Sequence, residues 1–171
     1  VDDGHHVLVA SSLLAEVPGG GGPLVGEIVE EYAEETETNR RADAALAFLD
    51  EYAAAVIPEQ LALLSKYGIA LESHLQNSLI VFDGVHPIGT LVRDFGGIRV
   101  HGERLADWGF SFDPYPDSDL DADGEADLYR KLYYALFQNH LAELVATIGW
   151  VTDVSERACW QRIGERSKRA F

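Results

Sequence analysis

Residues 67–84 read YGIALESHLQNSLIVFDG, and this stretch decides how the chain is expected to fold. Gly68 is suited to end a preceding helix, because glycine adopts the left-handed conformation of a helix C-cap without strain. Leu79 to Phe82 form an apolar run of strand length, and Asp83-Gly84 is typical of the turn that follows a strand. The polar residues 72–77 therefore stand between a helix end and a buried strand.

A second strand is predicted beyond the Asp83-Gly84 turn. Leu91-Val92 would pair back against the first strand and deliver Arg93-Asp94, and Phe95-Gly96-Gly97 then turns the chain before Ile98-Arg99-Val100. The sequence thus predicts a small antiparallel hairpin with polar residues at its ends.

Outside the hairpin, apolar residues recur mostly at helical spacing, which favours an α+β fold: a mostly helical lobe around a small antiparallel β-hairpin. An additional short strand and an acidic, Asp-rich loop interrupt this helical pattern. The predicted elements are a buried strand over Val7–Leu14, helices over 24–37, 41–67 (kinked or broken at Pro58), 128–148 and 155–168 (N-capped by Asp153 or Ser155), and a solvated loop over 113–127.

The composition narrows the function classes. Asp and Glu total 29 against 13 Lys and Arg, for a net charge of −16, so nucleic acid is not expected as a partner. Cys159 is the only cysteine, which excludes an internal disulfide and a Cys-rich zinc site and favours a cytoplasmic setting. Because no apolar run reaches about 18 residues, no membrane partner is expected.

His74 and Asn77 precede the first hairpin strand, and Asp94 follows the second. Kinase-like enzymes place an Asn and an Asp in this way to hold magnesium against nucleotide phosphates, since hard cations prefer oxygen ligands. Asp94-Phe95-Gly96 also spells the kinase metal-binding triplet. Taken singly, each residue has a structural alternative: Asn77 as a loop cap, Asp94 in an ion pair, and His74 as an interior histidine.

The clustering of five polar residues favours a functional site over these structural alternatives. Burying several polar groups around an apolar hairpin without partners would cost desolvation free energy. The five are Glu72, His74, Gln76, Asn77 and Asp94.

Residues 67–77 followed by 92–97 resemble the C-terminal, ferric-iron-reductase-like (FhuF-like) domain of NRPS-independent siderophore synthetases, the aerobactin-synthetase (IucA/IucC) type. A later LFQNHL segment at 136–141 is similar to a helix of that domain. The resemblance implies that residues 1–171 form one palm domain, related to a kinase C-lobe. It also implies a longer enzyme whose N-terminal thumb and fingers, absent here, would be its partner within the same polypeptide.

The resemblance further implies the chemistry of an ATP- and Mg2+-dependent ligase. Such enzymes adenylate a carboxylate, usually citrate or a citryl derivative, and condense it with an amine or alcohol. By position, Asn77 and Asp94 would bind the metal and nucleotide. Glu72, His74 and Gln76 would contact the substrate carboxylates and the reacting carbonyl. Arg93 would be an anion partner, with a structural salt bridge as the alternative.

Three other hypotheses remain open. An aminoglycoside-kinase-like phosphotransferase would carry Asp-x-His-x-x-Asn before the same strand, but Glu72 stands at the position of that catalytic Asp. A ferric-siderophore reductase or binding module would need about four cysteines for an iron-sulfur cluster, and the chain has only Cys159. The third hypothesis is a lobe that serves mainly to form a homodimer through the apolar faces of its last two helices.

Overall fold

The computed structural model describes residues 4–170, and helices dominate it. The strands are short and lie mainly in the first 100 residues. In chain order the elements are β1 (His5–Val9), a 3-10 helix (Ala10–Leu14), α1 (Leu24–Glu35), α2 (Arg41–Ala62) with a π-helical end (Leu63–Tyr67), β2 (Ile69–Ala70), β3 (Ser78–Asp83), β4 (His86–Val92), β5 (Arg99–Val100), α3 (Gly102–Asp107), α4 (Glu125–Leu132), a π-helical segment (Tyr133–Leu141), α5 (Ala142–Thr152) and α6 (Glu156–Arg169).

The predicted hairpin is confirmed as β3 and β4, which pair antiparallel from Ser78 with Val92 to Asp83 with His86. Strand β1 pairs with the other edge of β3 and makes a three-stranded sheet. The strand predicted over Val7–Leu14 is wrong in its second half, because β1 ends at Val9 and a 3-10 helix follows. The 3-10 helix buries Leu13, as a buried strand would, so the apolar residues alone did not distinguish the two conformations.

The long helix predicted to end at Gly68 is confirmed. Helix α2 runs through Pro58 without a break, its last turn widens to π-helical geometry, and Gly68 ends it with φ of 68°. Strand β2 begins at the next residue and pairs with β5. The end of this helix is therefore followed, after the short strand β2, by residues 72–77.

The closing helices extend slightly beyond their predicted ends. Helices α4 and α5 are joined end to end by the nine-residue π-helical segment. Ser155, one of the two predicted caps, accepts a hydrogen bond from the amide of Ala158 at the start of α6. Near the end of α6, Arg166 makes two hydrogen bonds to the carboxylate of Asp50 on α2.

The core surrounds α2, which packs on the hairpin, on α1 and on α6. Fully buried side chains from the sheet, α2 and the π-helical segment meet there, and each stabilises the fold by about 1.5–3 kcal/mol relative to exposure. Examples are Phe48, Tyr52, Ile80, Phe82 and Leu136. This arrangement is the α+β lobe that the sequence predicts.

None of the helices within residues 4–170 combines the length and apolar composition that a membrane span requires.

Candidate active site

Residues 72–77 form a tight turn between β2 and β3. The amides of Asn77 and Ser78 both donate to the carbonyl of His74, at 3.0 Å each. On the outer side of the turn, the amide of Ser11 donates to the carbonyl of Leu75 at 3.1 Å. The backbone is therefore held at His74, Leu75 and Asn77 within the segment that carries the predicted site residues.

A buried polar network lies beneath this turn. The hydroxyl of Ser78 donates to the carbonyl of Ser73 at 3.0 Å, and Nδ1 of His140 contacts the same carbonyl at 2.9 Å. The hydroxyl of Ser73 donates to the side chain of Gln60 on α2. Ser73, fully buried, thus ties the site segment to two helices.

His140 is the interior histidine of the described residues, and its protonation state follows from its partners. Because Nδ1 faces a carbonyl, it must carry the proton, which leaves Nε2 to accept from the hydroxyl of Tyr52 at 2.6 Å. Burial, opposed by the hydrogen bond to Ser73, lowers the pKa of His140 to about 4. Burial also raises the pKa of Tyr52, so both groups are neutral at pH 7.

The carboxylate of Glu72 is held between a lysine and a glycine. Its Oε1 accepts from Nζ of Lys131 at 2.6 Å. Its Oε2 lies so close to Gly97 that a Cβ on that residue would clash with it. Glu72 therefore connects the site segment both to α4 and to the loop after the hairpin.

The two predicted metal ligands lie at the same end of the hairpin. The amide of Arg93 donates to the carbonyl of Asn77 at 2.9 Å, which places residue 94 next to the site turn. Nδ2 of Asn77 donates to the carbonyl of Glu72 at 3.2 Å, so Oδ1 faces the opposite way. Asp94 is exposed, has φ of 63°, and accepts the amide of Gly96 through Oδ1.

These donors fit a magnesium ion only in part. An amide oxygen and a carboxylate are suitable ligands, and Mg2+ commonly takes one or two protein ligands and completes its shell with water and phosphate oxygens. No cluster of three His, Cys, Asp or Glu side chains that could hold a metal occurs within the described residues, the acidic 113–127 loop included. A metal at Asn77 and Asp94 would thus depend on a bound phosphate.

The guanidinium of Arg93 is not in an ion pair with Asp94. Its Nε donates to the carbonyl of Gln76 at 3.1 Å, and the side chain is exposed. The salt bridges recorded for the described residues do not include Arg93. Arg93 thus stabilises the turn through Nε, and the rest of its guanidinium remains exposed to solvent.

His74 and Gln76 line a cavity of about 290 Å3 together with Leu75, Tyr134 and Asn139. A second cavity of about 360 Å3 shares Tyr134 and is lined by three of the chain's few basic residues. Its basic residues are Arg99, Arg130 and Lys131. The predicted site therefore continues into a cationic cavity across Tyr134.

The residues that sequence reasoning missed come from α4 and the π-helical segment. Lys131, Tyr134 and Asn139 border the site, and His140 supports it from below. Residues 136–141 are singled out in the sequence only by the family resemblance. The regular apolar spacing of the predicted 128–148 helix gives no signal for Lys131 and Tyr134, since polar residues on an amphipathic helix are usually solvated.

The family model described as "Ferric iron reductase FhuF-like transporter" matches residues 46–171. The chain belongs to the FhuF-like family. A D-ornithine–citrate ligase of Staphylococcus aureus is 30% identical over 157 residues, which are 90% of this FhuF-like chain and 24% of the ligase. Staphyloferrin A synthase of the same organism is 36% identical over 122 residues, 69% of the chain and 20% of the synthase.

A solved structure has the same fold. The ATP-bound aerobactin synthetase IucA of Klebsiella pneumoniae superposes with a TM-score of 0.80 at 23% identity, over 96% of the chain and 29% of IucA. The FhuF-like chain thus spans about a quarter of the length of the curated relatives it matches. Its relatives make it a FhuF-like domain of the NRPS-independent siderophore-synthetase family.

Proposed function

We propose that this domain forms part of the active site of an ATP- and Mg2+-dependent siderophore synthetase. The enzyme would adenylate a carboxylate, citrate or a citryl derivative, and condense it with an amine or alcohol. The observation that carries the proposal is the pair of adjoining cavities, one lined by His74 and Gln76 and the other by Arg99, Arg130 and Lys131.

Charge is the main argument for a polycarboxylate. The chain has a net charge of −16, yet three of its 13 basic residues line one cavity beside the predicted site. Asp127 pairs with Arg99 at 3.3 Å and lies 3.8 Å from Arg130, and Glu72 pairs with Lys131. Even after these pairs are counted, one positive charge remains, so an anionic ligand is favoured there.

His74 and Gln76 line the other cavity of the same site. Their N–H groups would bind the substrate carboxylates, and His74 would stabilise the charge that develops on the reacting carbonyl oxygen. The role of Glu72 would differ from the direct substrate contact that the family resemblance implies. Its carboxylate would hold Lys131 in place and contact the substrate only beside that ion pair.

Asn77 and Asp94 would hold the magnesium ion, which would neutralise the triphosphate of ATP. The left-handed backbone at Asp94 and the bond from Gly96 fix the direction of its carboxylate before any ligand binds. Arg93, braced on Gln76, would contact an anionic group of the nucleotide.

The relatives support this reaction class. Two are a D-ornithine–citrate ligase and a staphyloferrin A synthase, and one neighbour of the same fold was solved with ATP. Because the chain spans about a quarter of these relatives, the domain would act as the palm of a longer, cytoplasmic polypeptide. Thumb and fingers in that polypeptide would complete the nucleotide site.

Iron reduction, the activity in the family description, has little support in the residues. An iron-sulfur cluster is held by about four cysteines, and Cys159 is buried, with its pKa raised by burial to about 11. Such a thiol stays protonated and is a poor metal ligand.

The nucleotide products test the proposal. The full-length enzyme that carries this domain, given ATP, Mg2+, citrate and an amine, is expected to release AMP and pyrophosphate. A kinase would release ADP and phosphorylate the second substrate instead. ADP as the sole nucleotide product would therefore refute the synthetase proposal.

A further inference from the structure

A third cavity is an apolar groove whose lining residues have no role in the site described above. It has a volume of about 640 Å3 and lies between the π-helical segment and α6, with Tyr133, Phe137, Trp160, Ile163 and Gly164 in its wall. The rings of Tyr133 and Phe137 stack 6.0 Å apart at 21° and form a flat apolar side. A groove of this size can hold a small organic ligand.

One end of the groove is cationic. Tyr133 and Gln138 belong both to the groove and to the cavity lined by Arg99, Arg130 and Lys131, so the two spaces adjoin. Arg130 is 76% exposed, and its recorded ion pair is a contact of 3.8 Å with Asp127, which already pairs with Arg99 at 3.3 Å. The guanidinium of Arg130 is therefore the basic group most available to a new anion.

We propose that the apolar groove binds a carboxylate with a hydrocarbon body, with the hydrocarbon against Trp160 and Phe137 and the carboxylate at Arg130. The combination of apolar wall and cationic end matches a ligand with one apolar and one anionic end. Arg is suited to the head group because its planar fork can donate two hydrogen bonds to one carboxylate. In the proposed reaction this ligand would be an amine substrate that also carries a carboxylate, with that carboxylate at Arg130, an identification that rests on the proposed function.

Gly164 makes the groove testable without damaging the fold. A Cβ at this position meets no atom within 4 Å, and the residue lies inside helix α6. Replacing a helix-interior glycine removes its entropic cost, so Gly164→Ala and Gly164→Leu are both expected to keep or raise the melting temperature. Only the leucine adds enough volume to occupy the groove.

The fluorescence of Trp160 can be used to measure ligand binding in the groove. In a background where Trp108 and Trp150 are replaced by phenylalanine, Trp160 is the sole tryptophan, and its fluorescence reports on the groove. Sodium octanoate, octylammonium and 1-octanol share an alkyl chain and differ in charge. The measurement needs neither ATP nor turnover, so its outcome is independent of whether the chain belongs to a synthetase.

Octanoate is expected to change the Trp160 fluorescence saturably, with an affinity at least tenfold higher than that of octylammonium or octanol. Gly164→Leu should weaken octanoate binding at least tenfold, Gly164→Ala should not, and Arg130→Gln should remove the preference for the carboxylate while Arg130→Lys keeps most of it. Equal binding of the three probes, an unchanged affinity in Gly164→Leu, or no saturable octanoate binding would each overturn the proposal.

Turnover separates the two proposals. In the full-length enzyme, Gly164→Leu is expected to raise the KM for the amine at least tenfold while citrate-dependent exchange of pyrophosphate into ATP continues. Unchanged KM would overturn the assignment to the amine, whereas loss of exchange in the unaltered enzyme would refute the synthetase proposal and leave the fluorescence result standing.

Discussion

Replacement of His140 by glutamine should change how the stability of the domain depends on pH. His140 is fully buried, contacts the carbonyl of Ser73 and the hydroxyl of Tyr52, and has its pKa lowered by burial to about 4. Gln keeps a donor and an acceptor in this place but does not titrate. His74 is a nearby charge that also disfavours the imidazolium.

The pKa of His140 in the folded chain lies below the ordinary histidine value near 6.5. Between pH 4 and pH 6.5 the unfolded chain therefore binds more protons at this residue than the folded chain does. Neutral His140 therefore stabilises the folded state fully above pH 6.5, and this stabilisation is lost as the pH drops toward 4. Relative to the His140→Gln variant, the wild type should lose about 2 kcal/mol of unfolding free energy by pH 5 and about 3 kcal/mol by pH 4.

Urea denaturation of both proteins from pH 7.5 to 5 measures this difference, and groups common to both cancel. His86, held by Glu51 and Glu35 with a raised pKa, is such a group. As a control, Tyr52→Phe should cost about 1–3 kcal/mol at pH 7.5 by leaving Nε2 of His140 without its donor, yet keep the pH dependence. Parallel curves for wild type and His140→Gln would refute the assignment of a buried, neutral His140.

Three further predictions concern other contacts. Gly97→Ala should lower synthetase turnover at least tenfold with little loss of melting temperature, because the new Cβ would displace the carboxylate of Glu72; unchanged turnover would show that this contact is dispensable. Asp94→Asn should keep the turn but raise the Mg2+ concentration needed for half-maximal turnover, whereas a metal site elsewhere would leave that requirement alone. Arg166→Ala should cost about 1–2 kcal/mol at pH 7 by urea denaturation, and this cost should shrink as the pH falls below the ordinary pKa of an aspartate and through the lowered pKa of Asp50, because pairing with Arg166 lowers that pKa; a cost independent of pH would contradict that pairing.

The elements with one dominant local signal were predictable from the sequence. Gly68 marks the end of the long helix because only a residue tolerant of positive φ fits there, and the 79–82 run with Asp83-Gly84 indicates the hairpin. The 3-10 helix at Ala10–Leu14 was not predictable, since its apolar residues suit a buried strand equally well. Nor was β1 as a sheet partner, because pairing over more than 70 residues leaves no local pattern.

The site was predictable only where its residues are close in sequence. Asn77 and Asp94 were expected at the same end of the hairpin because an antiparallel hairpin returns the chain to its start, and the backbone hydrogen bond from Arg93 to Asn77 agrees. Lys131 reaches Glu72 across 59 positions, and His140 reaches Ser73 across 67. Such contacts depend on how helices pack on the sheet, which spacing within one helix does not specify.

Citrate-dependent exchange of labelled pyrophosphate into ATP by the full-length enzyme tests the central claim most directly. The wild type should exchange with citrate or a related polycarboxylate, and His74→Ala should abolish exchange. His6→Ala is the matched control, since the side chain of His6 hydrogen-bonds to the carbonyl of Gly84 in the turn at the opposite end of the hairpin. Exchange in the control but not in His74→Ala agrees with the account; undiminished exchange in His74→Ala, or none in the wild type with any polycarboxylate, contradicts it.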